Sequence, residues 1–229
     1  MKLETRLEAA LYLRGNPGIP GGNKWFVINY GPPASGKSVL KKNELILQLV
    51  SEFTDIDVDT IVSSLYAQMG GTYSSIPTQE MYFTLRKEAD ERSDEMLINS
   101  VVNGRNVLWE TTGKDKAWVK YVVEFMKQNG YRVLLILPYV FYSIQVERCR
   151  RRQQAANCTE QYLANIREKS YKNFRGIAKV SDRVLVFDNN FETFLIYDSL
   201  TSSSCANVKN LVNDPNQTAL HRYLLEKCR

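Results

Sequence analysis

Eight consecutive residues, from Gly31 to Ser38, have the types and the spacing that bind phosphate groups. They fit the phosphate-loop pattern G-x-x-x-x-G-K-[ST] without a mismatch. Gly31 and Gly36 let the backbone turn tightly, so that successive N–H groups can point at phosphate oxygens. Lys37 is expected to reach the β- and γ-phosphates of ATP, and the Ser38 hydroxyl to ligate Mg²⁺. The predicted nucleotide-binding residues are Gly31, Pro32, Pro33, Ala34, Ser35, Gly36, Lys37, Ser38 and Val39.

Polar side chains that could act on an acceptor follow the next two predicted strands. Asp57 and Asp59 come at the end of the second strand, and Glu110 and Thr112 follow the third. In an open α/β sheet the ligand binds beyond the carboxyl ends of the strands, so we expect these residues near the phosphate loop. Phosphoryl transfer to a hydroxyl needs a carboxylate to accept the proton and cations on the moving phosphoryl group.

Each of these four residues has a functional role and a structural alternative. Asp59 is the candidate catalytic base, and it also suits the N-cap of the next helix. Asp57 is a candidate substrate contact, or a group that points into the sheet or orients the loop. Glu110 could orient Mg²⁺-bound water or bind the acceptor's hydroxyls, and a solvated loop carboxylate is the alternative. Thr112 is a candidate substrate contact or a plain turn residue.

An arginine run occupies the helix predicted to begin near residue 142. Arg148 and Arg152 are four residues apart and share a helical face, whereas Arg150 and Arg151 point elsewhere. On a lid segment, the pair could clamp the β,γ-phosphates and stabilise the charge that develops during transfer, so both are candidate catalytic residues. Nucleic-acid binding is unlikely, because the run is short and no aromatic residues interleave it.

The order of the predicted elements indicates an α/β protein. Strands alternate with helices, which predicts βαβ units in a P-loop NTPase fold: a parallel sheet of about five strands with helices on both faces. We expect one helix over 39–50, a long helix over 79–102, a central strand over 131–137 that Pro138 ends, and an edge strand near 194–197. The whole chain, 1–229, is predicted to be one kinase domain, with an N-terminal helix and Gly/Pro loop at 1–22, a lid and following helix at about 140–180, and a C-terminal extension at 190–229.

Composition narrows the function classes. The chain has 229 residues, a net charge of +5 and 44% hydrophobic residues, which is ordinary for a soluble protein. No apolar run is long enough to span a membrane, and a cytoplasmic location is expected. Four cysteines without a CxxC pair indicate neither a zinc site nor a disulfide framework. With a single histidine, His-based catalysis is unlikely.

The ordered set of motifs resembles the zeta-toxin family of P-loop kinases over roughly residues 25–190. The phosphate loop is followed by Asp57-Val58-Asp59, Glu110-Thr111-Thr112-Gly113, Arg148-x3-Arg152, and Asp182-Arg183-Val184 leading to Phe187-Asp188-Asn189. The resemblance implies ATP-dependent phosphorylation of the 3′-hydroxyl of the sugar in UDP-N-acetylglucosamine. It places Asp59 on the catalytic base, Lys37 and Ser38 on the ATP·Mg²⁺ site, Arg148 and Arg152 on the lid, and Glu110 and Thr112 near the acceptor sugar. An antitoxin-like protein partner cannot be read from the chain.

Three functions therefore compete. The first is an ATP-dependent kinase of a small-molecule acceptor, with a nucleotide sugar as the first guess. The second is a kinase of polynucleotide or nucleoside 5′-hydroxyls, which uses the same kinds of groups. The third is a nucleotide-gated interaction module with little catalysis. A GTPase is disfavoured, because the base-reading sequence N-K-x-D does not occur.

Overall fold

The chain folds around a six-stranded sheet. The computed structural model describes residues 24–50, 52–72, 76, 78–151, 159–201, 208 and 218–228. The strands are β1 (Trp25–Tyr30), β2 (Thr54–Ile56), β3 (Val107–Thr111), β4 (Arg132–Tyr139), β5 (Arg183–Asp188) and β6 (Phe194–Asp198). The helices are α1 (Lys37–Leu40), α2 (Glu44–Leu49), α3 (Val58–Gln68), α4 (Gln79–Val102), α5 (Lys116–Gln128), α6 (Tyr142–Arg151), α7 (Glu160–Ala178) and α8 (Thr218–Lys227).

The sheet confirms the predicted α/β fold. The strand order is β2-β3-β1-β4-β5-β6, and every pair is parallel except the antiparallel pair β5–β6. The sheet has six strands rather than about five, because the predicted edge strand pairs with β5, with a shift in register between Val186 and Phe187. Strand β1 lies between β3 and β4, so the phosphate loop that follows it leaves from the middle of the sheet.

Hydrophobic cores cover both faces of the sheet, as predicted. Alternate residues of β1 point to opposite faces: Phe26 and Ile28 belong to the larger core, and Trp25 and Val27 to the smaller one. Residues of α4, α5, α7 and α8 complete the larger core, whereas α1 and α2 cover the other face. With all six residues of β1 buried, the strand is a fixed base for the loop at its end.

Two local predictions are wrong. The single helix expected over 39–50 is two helices, because the Asn43 side chain accepts a hydrogen bond from Leu45 N and starts α2 afresh. Pro138 does not end β4, which continues to Tyr139. The β1 ladder reaches β4 only as far as Ile136, so the missing N–H of Pro138 interrupts no bond on that side.

Helix α3 and the first half of α4 pack together beside the sheet. Their buried side chains make a small cluster of their own, which contains Val62, Leu65, Tyr82, Leu85 and Ala89, whereas Leu97 and Val101 in the second half of α4 belong to the larger core. The long helix has the bounds expected from the sequence, 79–102, and many charged side chains cover its exposed surface. The site thus has the sheet and phosphate loop on one side and a helix pair with its own core on the other.

The prediction about the cysteines is wrong in the described part of the chain. Cys149 and Cys228 are both disulfide-bonded, and none of the cysteines described there is free. The predicted N-terminal helix lies in residues 1–22 and Arg152 in 152–158, both outside the described residues. Among the described helices none has the length and apolarity that crossing a membrane requires, and the cytoplasmic location stays a prediction.

Candidate functional site

The phosphate loop has the backbone geometry that its glycines predict. Gly31 has φ 149° and Gly36 has φ 92°, both in a region that favours glycine, and Ala34 also has a positive φ of 57°. Gly36 is the N-cap of α1 and supplies no side-chain acceptor. The first N–H groups of α1 therefore gain no side-chain cap from Gly36, which suits a loop that binds an anion.

A second strand end closes around this loop. Asn189, directly after β5, donates from Nδ2 to the Ser35 carbonyl at 2.8 Å. A Cβ added at Gly36 would lie 1.8 Å from that Nδ2, so glycine is required by close approach as well as by backbone angle. Asn189 N also donates to the Tyr139 carbonyl at 2.8 Å. The asparagine of the predicted Asp188-Asn189 motif therefore helps to hold the phosphate loop in its conformation.

The side chain of Arg148 lies beside the same loop. Its Nη2 donates to the carbonyls of Asn189 (2.7 Å) and Asn190 (3.0 Å). Its Nη1 is 3.5 Å from where a Cβ of Gly36 would lie. A guanidinium is thus held against the phosphate loop by backbone carbonyls.

Lys37 is held inside the loop by its own carbonyls. Its Nζ donates to Gly31 O at 2.9 Å and to Pro32 O at 3.0 Å, and the residue is 7% exposed. Its backbone carbonyl accepts from Asn29 Nδ2 at 2.8 Å, which ties α1 back to β1. Lys37 Nζ is also 3.6 Å from Glu110 Oε1. To reach a phosphate, the ammonium group has to exchange carbonyl contacts for phosphate contacts.

A second lysine, Lys41, joins three carboxylates at the ends of β2 and β3. Its Nζ lies 3.0 Å from Asp55 Oδ1, 3.2 Å from Asp57 Oδ2 and 3.4 Å from Glu110 Oε2. Because Glu110 also contacts Lys37, a continuous row of alternating charges runs from the phosphate loop to the start of α3. This row connects three of the sequence-predicted residues: Lys37, Glu110 and Asp57.

The pKa values of the two partly buried carboxylates in this row, Asp57 and Glu110, are shifted in opposite directions. Burial raises the pKa of Glu110, and the negative charge of Asp57 adds to the rise against the opposing charge of Lys37. Burial also acts on Asp57, but there Lys41 and the hydrogen bond from Thr60 Oγ1 outweigh it, so the pKa of Asp57 is lowered. Lys41 has a raised pKa, because its carboxylate partners outweigh its own burial.

Asp59 lies outside this row of charges, in the first turn of the helix that Asp57 caps. The N-cap of α3 is Asp57, whose Oδ1 accepts from Asp59 N at 3.1 Å, so the alternative structural role predicted for Asp59 belongs to Asp57. The Asp59 side chain is 60% exposed, and its Oδ1 lies 3.2 Å from Nη1 of Arg86 on α4. Its negative charge contributes to the raised pKa of Glu110. Asp59 is therefore an accessible carboxylate at the border between the charge row and the helix pair.

The segment after β3 is fixed by α7. Gly113 has φ 66°, and a Cβ there would lie 1.8 Å from the Tyr30 ring. The carbonyl of Thr112 accepts a hydrogen bond from Ser170 Oγ, and Tyr30 Oη donates to the Ser170 carbonyl. The backbone of Thr112 is thus bound to α7, and its half-buried side chain remains a candidate substrate contact.

A buried chain of polar contacts connects the phosphate loop to α6 and α7, and no sequence motif predicts it. Gln145 of α6 is fully buried, and its Nε2 donates to the Pro33 carbonyl at 2.6 Å. Its Oε1 accepts from Arg167 Nη1 at 2.8 Å, and Arg167 Nη2 donates to Val140 O at 2.8 Å. Arg167, which is 3% exposed, lies over the Tyr171 ring at 4.8 Å. Helices α6 and α7 therefore also hold the phosphate loop in place.

One signal could have revealed Lys41. It follows Lys37 by four residues, so one turn of helix places both ammonium groups on the same side, towards the strand ends. Ser38 and Val39 lie between them and are exposed. Within the residues that the structure covers, no group of three or more His, Cys, Asp and Glu could hold a metal ion, and the three clustered carboxylates surround Lys41 instead.

Comparisons with known proteins support the fold. No protein-family model matches this chain. An uncharacterized protein of Acanthamoeba polyphaga mimivirus is 22% identical over 251 residues, which cover 90% of this chain and 72% of that protein. A chain of the PezAT chromosomal toxin–antitoxin system of Streptococcus pneumoniae has a TM-score of 0.59 at 16% identity, over 98% of this chain and 90% of that one. A chain of the AvrRxo1-ORF1:AvrRxo1-ORF2 complex with ATP has a TM-score of 0.57 at 13% identity, over 98% and 83%. These similarities confirm the predicted P-loop α/β fold.

Proposed function

We propose that this chain is an ATP-dependent kinase that transfers the γ-phosphate to a hydroxyl of a small-molecule acceptor. The observation that carries the proposal is the row of charges from Lys37 through Glu110 and Lys41 to Asp57, which joins the phosphate loop to the start of α3. Carboxylates beside the phosphate loop can orient an acceptor hydroxyl or accept its proton, and phosphoryl transfer to a hydroxyl requires both tasks. The likeness to a chain of a complex with ATP supports ATP as the phosphate donor.

Each group has a proposed task. The loop backbone and Lys37 bind the β- and γ-phosphates, and Arg148 offsets the negative charge that builds up on the transferring group. Ser38, an exposed residue in the first turn of α1, would hold Mg²⁺ through its hydroxyl. When bound, this ion would neutralise charge on the phosphate oxygens. Arg152 is proposed for the same clamp by its spacing from Arg148.

Asp59 is the proposed base. The acceptor oxygen bonds to the γ-phosphorus, the bond from that phosphorus to the bridging oxygen of ADP breaks, and the hydroxyl proton passes to the Asp59 carboxylate. An exposed carboxylate suits this task better than Asp57, whose oxygens already accept from Lys41, Thr60 and the Asp59 N–H. Asp57, Glu110 and Thr112 are proposed to contact or orient the acceptor.

A nucleotide sugar is the first acceptor to test, with the 3′-hydroxyl of UDP-N-acetylglucosamine as the specific candidate from the family resemblance. The test is a mass-spectrometric screen of UDP-sugars, nucleosides and oligonucleotide 5′-ends for the gain of one phosphoryl group. ADP release that depends on one acceptor supports the proposal. Background turnover with the whole panel, despite normal ATP binding, would leave the nucleotide-gated module as the better reading.

Two substitutions separate the phosphate side from the acceptor side. Lys37→Ala should lower kcat by about 10³-fold or more, because the loop loses its charge on the γ-phosphate. Asp59→Asn should lower kcat by roughly 10²- to 10⁴-fold while ATP affinity stays near that of the wild type. Lys42→Ala is the matched control, since Lys42 is an exposed lysine of the same segment. Wild-type turnover in Asp59→Asn would exclude Asp59 as the base and shift attention to Asp57.

A further inference from the structure

The three carboxylates around Lys41 pose an electrostatic problem that the proposed kinase activity does not explain by itself. Asp55 lies on β2, Asp57 directly follows it and Glu110 lies on β3, and all three are 3.0–3.4 Å from one ammonium group. The side chains of Asp57 and Glu110 are each only 16% exposed, and that of Lys41 only 14%. Neighbouring buried carboxylates cannot all stay ionised without a cation between them.

Lys41 supplies this cation from a fixed position. It is the C-cap of α1, so its backbone is set by the same short helix that begins with Lys37. Glu110 lies between the two lysines, with Oε1 3.6 Å from Lys37 Nζ and Oε2 3.4 Å from Lys41 Nζ. If Lys37 turns to the phosphates of ATP, Lys41 is the positive neighbour that Glu110 retains.

We propose that Lys41 is a positioning residue, which holds Asp57 and Glu110 as ionised carboxylates between the phosphate loop and helix α3. This inference rests on the proposed kinase function and adds a role that none of the sequence motifs contains. Lys41 does not act on ATP, because the contacts of its ammonium group are with carboxylates rather than with the loop. Its effect is on the acceptor side: Asp57 is the N-cap of α3, the helix whose first turn carries Asp59.

The physical consequence is a change in the pH profile. The positive charge of Lys41 helps to keep the pKa of Asp57 lowered, and it opposes the rise in the pKa of Glu110. Removing this charge should therefore let one of the two carboxylates take up a proton at a higher pH than in the wild type. An active form that needs both carboxylates ionised is then lost at the acid side first.

The decisive experiment compares Lys41→Met with Lys42→Met and with Lys41→Arg. For Lys41→Met, the acid limb of the kcat profile should move up by roughly one pH unit or more, which is the size expected from loss of an opposite charge at this distance. Its Kd for ATP should stay within about twofold of the wild type. Lys42→Met should keep the wild-type profile, and Lys41→Arg should restore most of the acid limb because it restores the charge.

Three results would overturn the proposal. An unshifted acid limb in Lys41→Met means that Lys41 does not hold the carboxylates ionised. A loss of ATP affinity equal to the loss of kcat means that Lys41 acts through the phosphate loop. Failure of Lys41→Arg to restore any of the profile means that packing, not charge, is what matters.

A measurement that needs no turnover keeps the inference separate from the proposed function. The carboxyl carbons of Asp57 and Glu110 are titrated by NMR in the wild-type protein and in Lys41→Met, with Asp57→Asn used to assign the first signal. The pKa of both carboxyl groups should be higher in Lys41→Met than in the wild type, because the charge of Lys41 lowers both. Unchanged pKa values in Lys41→Met would overturn the role of Lys41, even if the kinase were active. If the carboxyl groups titrate as expected while every acceptor fails, the kinase proposal is wrong and the charge cluster stands.

Discussion

The phosphate loop and the helix pair α3–α4 border the same site but are held in place by different means. The loop is bound by buried polar contacts from distant elements, through Asn189 after β5 and Gln145 on α6. Helix α3 and the first half of α4 are held by a small cluster of their own and by exposed ion pairs such as Arg86–Asp59. The second half of α4, in contrast, packs into the larger core through Leu97 and Val101. Large apolar side chains on this pair remain exposed, with Met69 at 61% and Phe83 at 60%.

This difference indicates which parts of the molecule can change conformation. Buried, satisfied polar contacts specify one geometry, and disturbing one of them is costly. Segments with few buried contacts and solvated ion pairs open at low free energy. We infer that the phosphate loop is rigid, whereas the helix pair α3–α4 can shift as the acceptor binds. Two pairs of substitutions and one single substitution test this inference.

The largest effect on stability is expected when two glycines, Gly36 and Gly70, are each replaced by alanine. Both Gly36 and Gly70 have a positive φ, of 92° and 83°. A Cβ at Gly36 meets Asn189 Nδ2 at 1.8 Å, whereas a Cβ at Gly70 meets nothing within 4 Å. Gly36→Ala should therefore lower the free energy of unfolding by about 3 kcal/mol, from backbone strain and overpacking, and Gly70→Ala by only about 1 kcal/mol, from backbone strain. Chemical denaturation measures both, and equal losses would contradict the comparison.

An intermediate effect is expected at Gln145. Gln145→Ala removes the acceptor of Arg167 Nη1 and the donor to Pro33 O in a fully buried place. The free energy of unfolding should fall by about 2 kcal/mol, because a hydrogen bond to a buried charged group is lost. Gln68→Ala on α3, where the glutamine is exposed, should change it by less than about 0.5 kcal/mol. A loss of ATP affinity confined to Gln145→Ala, measured by calorimetry, would show that this chain of contacts shapes the loop.

The smallest effect on stability is expected at Arg86. Its ion pairs with Asp59 and Asp90 are at 3.2 Å, but all three side chains are more than one-third exposed. Solvent screening limits such pairs, so Arg86→Met should cost less than about 1 kcal/mol in the free energy of unfolding. Because Arg86 pairs with the proposed base, kcat should nevertheless change several-fold. A loss of several kcal/mol would mean that the helix pair is as rigid as the loop.

The sequence predicted those features that are written in contiguous residues. The phosphate loop and the long helix 79–102 are both local patterns, and the structure has them. Their physics is short-range: backbone angles, caps and the spacing of apolar side chains. The parallel sheet also follows, because alternating strands and helices leave few alternatives.

The parts that could not be predicted depend on contacts between distant segments. Gln145 lies on a predicted helix, but only the fold brings it to Pro33, 112 residues away. The cluster around Lys41 needs the ends of β2 and β3 side by side, and the division of roles between Asp57 and Asp59 depends on where α3 begins. The disulfide bonds of Cys149 and Cys228 are likewise invisible in the spacing of the cysteines.

The contact between Asn189 and the phosphate loop has a consequence for biosynthesis. Ser35 precedes its partner Asn189 by 154 residues. At ordinary rates of translation, roughly 8–30 s pass between the synthesis of the two. During that interval the emerging chain carries the complete phosphate-loop motif without the side chain that closes around it. The loop therefore reaches its final shape only after β5 has been synthesised, 154 residues after Ser35 itself.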